Sequence, residues 1–381
     1  MRIERAQLHL VRIPLKRAFA HAASSRTESE AVLVALHDDA GNVGWGEIRP
    51  RPYVTGETID EVLDVRGPAL ANALLDGSFE DLGGVIARLS AIEDAAGLAT
   101  RGGFEAALLD VAGQALGFGL GDVLGGEPGP ALPAGVVIGF ETSTDKLPRH
   151  CAMLRLAGRR HIKVKVGLPD DARRLALVRD VFGRDVPLRL DANAAWSVAE
   201  TIDNLAAFGD IPIHSIEQPV AKDDLDGLRT IREQTGVRVM ADESVCSVAD
   251  AHALVAARAA DIFNIRIGKH GGILAAARIV SLAQDAGIAV HLGTLVGETG
   301  ILSRISEVFG RMTPGFDCLD GKGQHRFLLL EDVLQPPENN GKEDLGARPV
   351  SAPGLGVTVD PDRVARFRVQ TPRRFAASAA S

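Results

Sequence analysis

The chain has little cysteine, few aromatic residues, no basic excess and no long apolar run, and most of these shortages remove a class of protein. Three cysteines, Cys151, Cys246 and Cys318, are scattered through 381 residues without a Cys-x-x-Cys pair. That pattern offers neither a disulfide framework nor a structural zinc site, and reads as free thiols in a reducing compartment. Lys and Arg number 42 against 50 Asp and Glu, a net charge of −8, and no basic stripe stands out for nucleic acid. A small molecule is the better expected partner. No apolar stretch approaches the roughly 20 residues needed to span a bilayer. The Ala-rich runs 251–260 and 275–283 are broken or bounded by His252, Arg258, Arg278 and Gln284. The N-terminal Met-Arg-Ile-Glu-Arg-Ala-Gln-Leu alternates charged and apolar residues like a first strand and lacks the apolar core of a signal peptide. A cytoplasmic location is the default that these absences leave. A strand-linked Gly-x-Gly-x-x-Gly fingerprint and a P-loop are also lacking, which argues against a non-metal oxidoreductase.

What is present is an ordinary globular composition, 46% hydrophobic and 24% charged, in a chain long enough for one large barrel or two domains. From about residue 134 to 321, short β-branched runs alternate with helical text. Strands are expected at 136–140, 162–166, 188–192, 214–218, 237–242, 262–267, 289–292 and 317–320. Helices are expected between them, at 170–181, 199–208, 223–234, 248–258 and 273–286, several opening on a capping residue such as Asp170, Ser197 or Ser247. Eight strands alternating with helices favour a closed (β/α) barrel over an open sheet. Residues 1–130 differ: 31–36 and 43–47 form an antiparallel hairpin around a Gly-containing turn, followed by helical text at 103–116. The expected organisation is an α+β capping domain over 1–130, a barrel over 131–325, and a segment 326–381 that returns to the cap.

Three acids carry the chemistry: Asp191 in Leu-Asp-Ala-Asn, Glu217 in Ile-Glu-Gln-Pro and Asp242 in Ala-Asp-Glu-Ser. The steps 191 to 217 and 217 to 242 span 26 and 25 residues, one βα unit each, so the carboxylates end consecutive strands and converge. Singly, each could be a helix cap or a salt-bridge partner. Jointly, with polar neighbours Asn193, Gln218 and Glu243, they point to a hard divalent cation such as Mg²⁺, with Mn²⁺ as an alternative. Lys163 and Lys165, in His-Ile-Lys-Val-Lys-Val-Gly, fall on one face of the preceding strand. Two ammonium groups buried together require facing carboxylates, and beside a metal one of them suits a base acting on an acidic C–H.

These motifs, with Asn264-Ile-Arg-Ile-Gly-Lys-His-Gly-Gly272, Arg51-Pro-Tyr-Val-Thr-Gly-Glu57 and Pro353-Gly-Leu-Gly356, resemble the enolase superfamily, in its muconate cycloisomerase and mandelate racemase-like branch, over nearly the whole chain. The resemblance implies a modified (β/α)7β barrel under an N-terminal cap. It also implies Mg²⁺ held by Asp191, Glu217 and Asp242, a small carboxylate substrate enolised by Lys165, Lys163 as its support, and a homo-oligomer. The second lysine that many relatives carry falls on Arg266, 24 residues after Asp242, and an arginine is a poor base but a good electrostatic clamp. Lys269 is expected past the barrel mouth. The eighth strand has Cys318-Leu-Asp320 where dipeptide epimerases carry two aspartates.

By similarity, substrate contacts are expected from Asn193, Glu298 and Asp320 and from the cap residues His21, Arg51 and Tyr53, with Arg26 and Arg49 nearby; the arginines would suit an anionic substrate. His291 reads as a hydrogen-bonded structural residue. The expected activity is muconate cycloisomerase-like isomerisation or syn elimination. An N-acylamino-acid racemase or dipeptide epimerase is the alternative, and a catalytically silent carboxylate-binding barrel the third reading.

Overall fold

The computed structural model describes residues 1–21, 24–92, 97–336 and 345–377, with side chains described throughout except at 18–21 and 24–25. Strands β1 (Ile3–His21), β2 (Ser24–Asp38) and β3 (Val43–Ile48) build an antiparallel cap sheet. The β2–β3 hairpin closes on Asp38, whose Oδ1 accepts from the Asn42 N–H at 2.7 Å, while Gly41 takes the left-handed φ of +89° that the turn needs. Helix Leu98–Leu116 lies against β3 so closely that a Cβ on Gly46 would come within 1.8 Å of the Gly103 carbonyl oxygen. Glycine is therefore required there.

The barrel strands are β4 (Ala134–Ile138), β5 (Ile162–Lys165), β6 (Leu188–Asp191), β7 (Ser215–Glu217), β8 (Arg238–Ala241), β9 (Ile262–Ile265), β10 (Ala289–Leu292) and β11 (Leu319–Asp320). All pair in parallel and close into a ring in chain order, β11 returning to β4. Each strand pair is joined by a helix, from Leu147–Leu156 to Gly300–Met312, and the ring ends on a strand, as the (β/α)7β pattern requires. The strands are as expected in number and place but shorter at their C-terminal ends, because residues past the acids leave the ladder to form the mouth.

Ser197 and Ser247 open helices Val198–Ala207 and Val248–Ala257 through capping boxes with Glu200 and Asp250. Asp170 does not cap as expected: its carboxylate accepts from Thr144 Oγ1 at 2.5 Å, and it is Asp171 that accepts from the Gly167 and Leu168 N–H groups.

On the strands, Val164, Leu190, Ile216 and Phe263 are fully buried, and the alternating positions place Lys163, Arg189, Glu217 and Asn264 inside the ring. The cap is fastened to the barrel by buried carboxylates. Glu47 accepts from Thr299 N–H at 3.1 Å and Oγ1 at 2.6 Å, in the first turn of the helix after β10. Glu105 accepts from the Ile273 N–H at 2.5 Å, at the start of the helix after β9. The C-terminal strand β12 (Arg373–Ala376) pairs with β1, so the chain finishes in the cap sheet. Among the described residues no helix is long and apolar enough to cross a membrane.

Candidate active site

Parallel register sets three of the chemically important residues at one level. Lys165 on β5 pairs with Asp191 on β6, and Asp191 pairs with Glu217 on β7. Asp242 follows β8 directly, and its N–H donates to Gln218 Oε1 at 3.0 Å. The three carboxylates are 1–2% exposed. Glu243 Oε2 is buried and accepts no hydrogen bond, and Asp242 Oδ2 is buried against Arg266 Nη2. The loops that follow are strained: Asn193, Ala194 and Gln218 have φ of +48°, +57° and +37°. Such backbone persists where surroundings dictate it, commonly at functional sites.

Cations surround the acids. Lys163 Nζ lies 3.0 Å from Glu217, 3.4 Å from Asp191 and 3.5 Å from Asp320. Burial lowers its affinity for a proton, but Glu217, Asp191 and Asp320 outweigh that and hold it above the ordinary lysine range. Lys165 Nζ donates to Asn193 Oδ1 and lies 3.6 Å from Asp191 Oδ2. Arg266, just past β9, places Nη2 between Glu217 Oε1 at 2.9 Å and Asp242 Oδ2. Three strands, β6 to β8, lie between β5 and β9 in the ring of eight, so Lys165 and Arg266 stand on opposite sides of the mouth with the acids between them.

Lys269 corrects an expectation. It does not extend past the mouth but is fully buried, with Nζ 2.7 Å from Asp242 Oδ1 and 2.5 Å from the Asp242 carbonyl oxygen. The short helix Ile267–His270 turns the chain back. Gly271 and Gly272 then adopt φ of +84° and +108°, where a Cβ on Gly272 would strike the Glu105 carboxylate at 2.1 Å.

Asp320 faces inward beneath the acids. It takes a bidentate pair of hydrogen bonds from Arg189 at 2.9 and 2.7 Å, and His291 Nε2 sits 3.1 Å away. This ion pair fills the barrel interior, and Arg189 escaped the sequence reading. The available clue was its period-two position before Asp191, which puts an arginine on the inner face and demands an acid there.

Glu298 is 1% exposed, accepts from the Leu295 N–H at 2.6 Å, and is pushed up to about 8 by burial and by Glu47. It is packed against the cap latch.

From the cap, Arg49 donates to Ser29 Oγ and to the Val296 carbonyl in the loop after β10, at 2.9 Å each. Five residues on, the Val54 carbonyl accepts from Lys222 Nζ at 3.3 Å, in the loop after β7. The segment 49–54 thus crosses the mouth, carrying Arg51 and the half-exposed Tyr53 over it. A cavity of about 460 Å³ opens beside it, lined by Val54, Thr55, Lys222, Glu243, Ser244 and Cys246. The His21 side chain lies outside the described residues.

The donor set fits a hard divalent cation: three converging carboxylates, all buried, whose charge is met in this structure only by the cations of Lys163, Lys165, Arg266 and Lys269 among the described residues. The Enolase C-terminal domain-like family matches residues 146–363, which includes all three acids, both lysines and Arg266. The chain belongs to the enolase superfamily. N-succinyl-L-Arg/Lys racemase of Bacillus cereus is 28% identical over 97% of this chain and 98% of its own. A dipeptide epimerase from Enterococcus faecalis, solved with Mg and the dipeptide L-Leu-L-Tyr, superposes with a TM-score of 0.81 and 26% identity over 94% of this chain and all of that one. The 2-chloromuconate cycloisomerase of Rhodococcus opacus gives a TM-score of 0.85 and 26% identity over 97% of this chain and all of its own. This superfamily member is accordingly an isomerase-type enzyme, with relatives named for three different outcomes.

Proposed function

We propose that this enzyme removes the proton next to the carboxylate of a small acid from one face only, with Lys165 as the acid/base, and that it catalyses a cycloisomerisation or a syn elimination. The observation that carries the reading is the pair at the mouth: a lysine on β5 and, four strands away, an arginine where a second base would stand.

Asp191, Glu217 and Asp242 would hold Mg²⁺, with Mn²⁺ as the alternative. Bound there, the cation would stabilise the negative charge that the substrate carboxylate gains as it becomes an enediolate. In syn elimination Lys165 Nζ accepts the α-proton and, as the β C–O bond breaks, its ammonium gives a proton to the departing oxygen on the same face; in cycloisomerisation a C–O bond forms at the β-carbon and the same ammonium protonates the α-carbon, with Asn193 Oδ1 orienting the amine. Lys163, held among three carboxylates, supplies fixed positive charge beneath the substrate. Arg266 stays protonated, so it donates hydrogen bonds and does not take a proton.

The racemase or epimerase alternative is favoured by the names of the relatives. Against it stand Arg266 and Cys318, the latter where an epimerase would carry an acid to hold an ammonium group. The test is α-carbon exchange in D₂O with Mg²⁺ and a library of acids supplied as both enantiomers. Exchange of one enantiomer alone, lost in Lys165→Ala while metal binding persists, is the expected result. Comparable exchange of both enantiomers overturns one-face chemistry, and tight binding of an acid with no exchange anywhere in the library favours the silent barrel.

A further inference from the structure

At the end of the cap sheet formed by the β2–β3 turn, from which β3 runs toward Arg49 and the mouth, stands a group of cations that no acid answers. Antiparallel pairing sets them on one face. Arg5 and Gln7 on β1 lie opposite His37 and Ala35 on β2, Ala35 lies opposite Trp45 on β3, and Arg374 on β12 lies opposite Gln7. Residues directly opposite share a face, and period two adds His9 to it. Further along β1, Arg368 bridges to Val11, which falls on the same side.

The charges there are unbalanced. Other arginines of the C-terminal segment have carboxylates: Arg363 meets Asp360 at 3.4 Å, Arg366 meets Glu331 at 2.7 Å and Arg373 meets Asp64 at 2.7 Å. Arg368 and Arg374 form no ion pair among the described residues, and Arg5 reaches only a ring nitrogen, donating from Nη2 to His37 Nδ1 at 3.1 Å. The acids next to His37 are occupied. Asp38 accepts from the Ala40 and Asn42 N–H groups, and Asp39 from the Arg2 N–H at 2.9 Å. Arg368, His37 and Arg374 all act on His9 in the direction that disfavours a proton, so the local field is positive although the chain carries a net charge of −8.

The histidines add unused polar atoms. An arginine can only donate, so His37 Nδ1 is the bare nitrogen and the ring proton sits on Nε2. That N–H is buried and has no partner, and neither has Nδ1 of His9, a residue 6% exposed. A buried donor without an acceptor is costly, and the cost falls when an anion accepts from it. Guanidinium groups beside such a donor match the three acceptor oxygens and the high charge of a phosphate.

We propose that this face of the cap binds a phosphate group, held by Arg5, Arg368 and Arg374 with His37 Nε2 as a further donor. Arg368 and Arg374 come from the C-terminal segment and Arg5 from β1, so the bound anion clips the last strand onto the sheet. The site is separate from the enolising centre and does not depend on how that centre is read.

The test adds inorganic phosphate, glycerol phosphate or succinate to the full-length protein, with calorimetry and amide hydrogen exchange as readouts. Inorganic phosphate or the monoester is expected to bind with a Kd of roughly 1 mM or tighter and to slow exchange at 5–9 and 373–376. The tighter of the two names the source, free phosphate or a phosphorylated small molecule. The double variant Arg368→Met/Arg374→Met should weaken binding at least about tenfold, and Arg51→Met should leave it unchanged. Affinity that survives the double variant, protection at the barrel mouth instead of those strands, or no binding of either phosphate overturns the site. Succinate binding as tightly as both phosphates overturns the phosphate assignment. Should the double variant fail to fold, Arg5→Met decides: affinity must fall at least about threefold there, and an undiminished affinity counts against the proposal.

Discussion

Lys165 and Arg266 face one another across the acids, four strands apart in a ring of eight, and the guanidinium of Arg266 stays protonated. General acid–base groups contribute about 10²–10⁴-fold. Arg266→Lys would place an ionisable amine on the second face, so exchange of the disfavoured enantiomer is expected to rise at least about tenfold. Following both enantiomers by proton NMR in D₂O checks this, and an unchanged ratio would mean that the second face is blocked by something other than the arginine.

Lys269 braces Asp242 through both its carboxylate and its carbonyl oxygen. Partners that orient a metal ligand are worth about 10–100-fold in affinity. Lys269→Met should weaken Mg²⁺ or Mn²⁺ binding by that factor, measured by titration with the protein still folded by circular dichroism. An unchanged affinity would show that Asp242 holds its geometry unaided.

The Arg189–Asp320 pair sits inside the barrel, with Asp320 also serving His291 and Lys163. Breaking one side of a buried pair costs about 3–5 kcal/mol. Asp320→Asn should therefore lower the denaturation midpoint strongly. A loss below about 1 kcal/mol would indicate that water reaches this layer.

His9 packs against Trp45 in the cap, the rings tilted by 44° with centroids 5.6 Å apart. Burial first, then Arg368, His37 and Arg374, lower it from 6.5 to about 4. The unfolded chain takes up a proton near 6.5 that the folded cap refuses until about 4. Its contribution to stability is thus present above pH 6.5 and is lost as pH falls toward 4. His9→Gln should flatten the stability profile in that window by on the order of 2 kcal/mol; a profile identical to the native one would assign the acid limb to other groups.

The barrel and the three acids were legible because both follow from local pattern: one βα unit sets the spacing, and period two sets the inward face. Asp320 was harder. Its partner Arg189 lies 131 residues away on a strand that is not its neighbour, and only closure of the ring brings them together. Strand alternation puts Lys269 past the mouth, but β9 ends at Ile265 and the chain turns there into a short helix that carries the lysine inward. Asp170 and Asp171 are adjacent acids at a helix start, yet neither caps it: their carboxylates turn to Thr144 and to the preceding loop, partners that the local sequence does not specify.

Glu47 and Glu105 each sink a carboxylate into the first turn of a barrel helix, those after β10 and β9. Both attachments fall on the Arg266 side of the ring. The cap is consequently riveted along one flank, and the residues left to vary between its fixed points are those spanning the opening. That short bridge can be rewritten without disturbing either rivet or the charged groups at the strand ends.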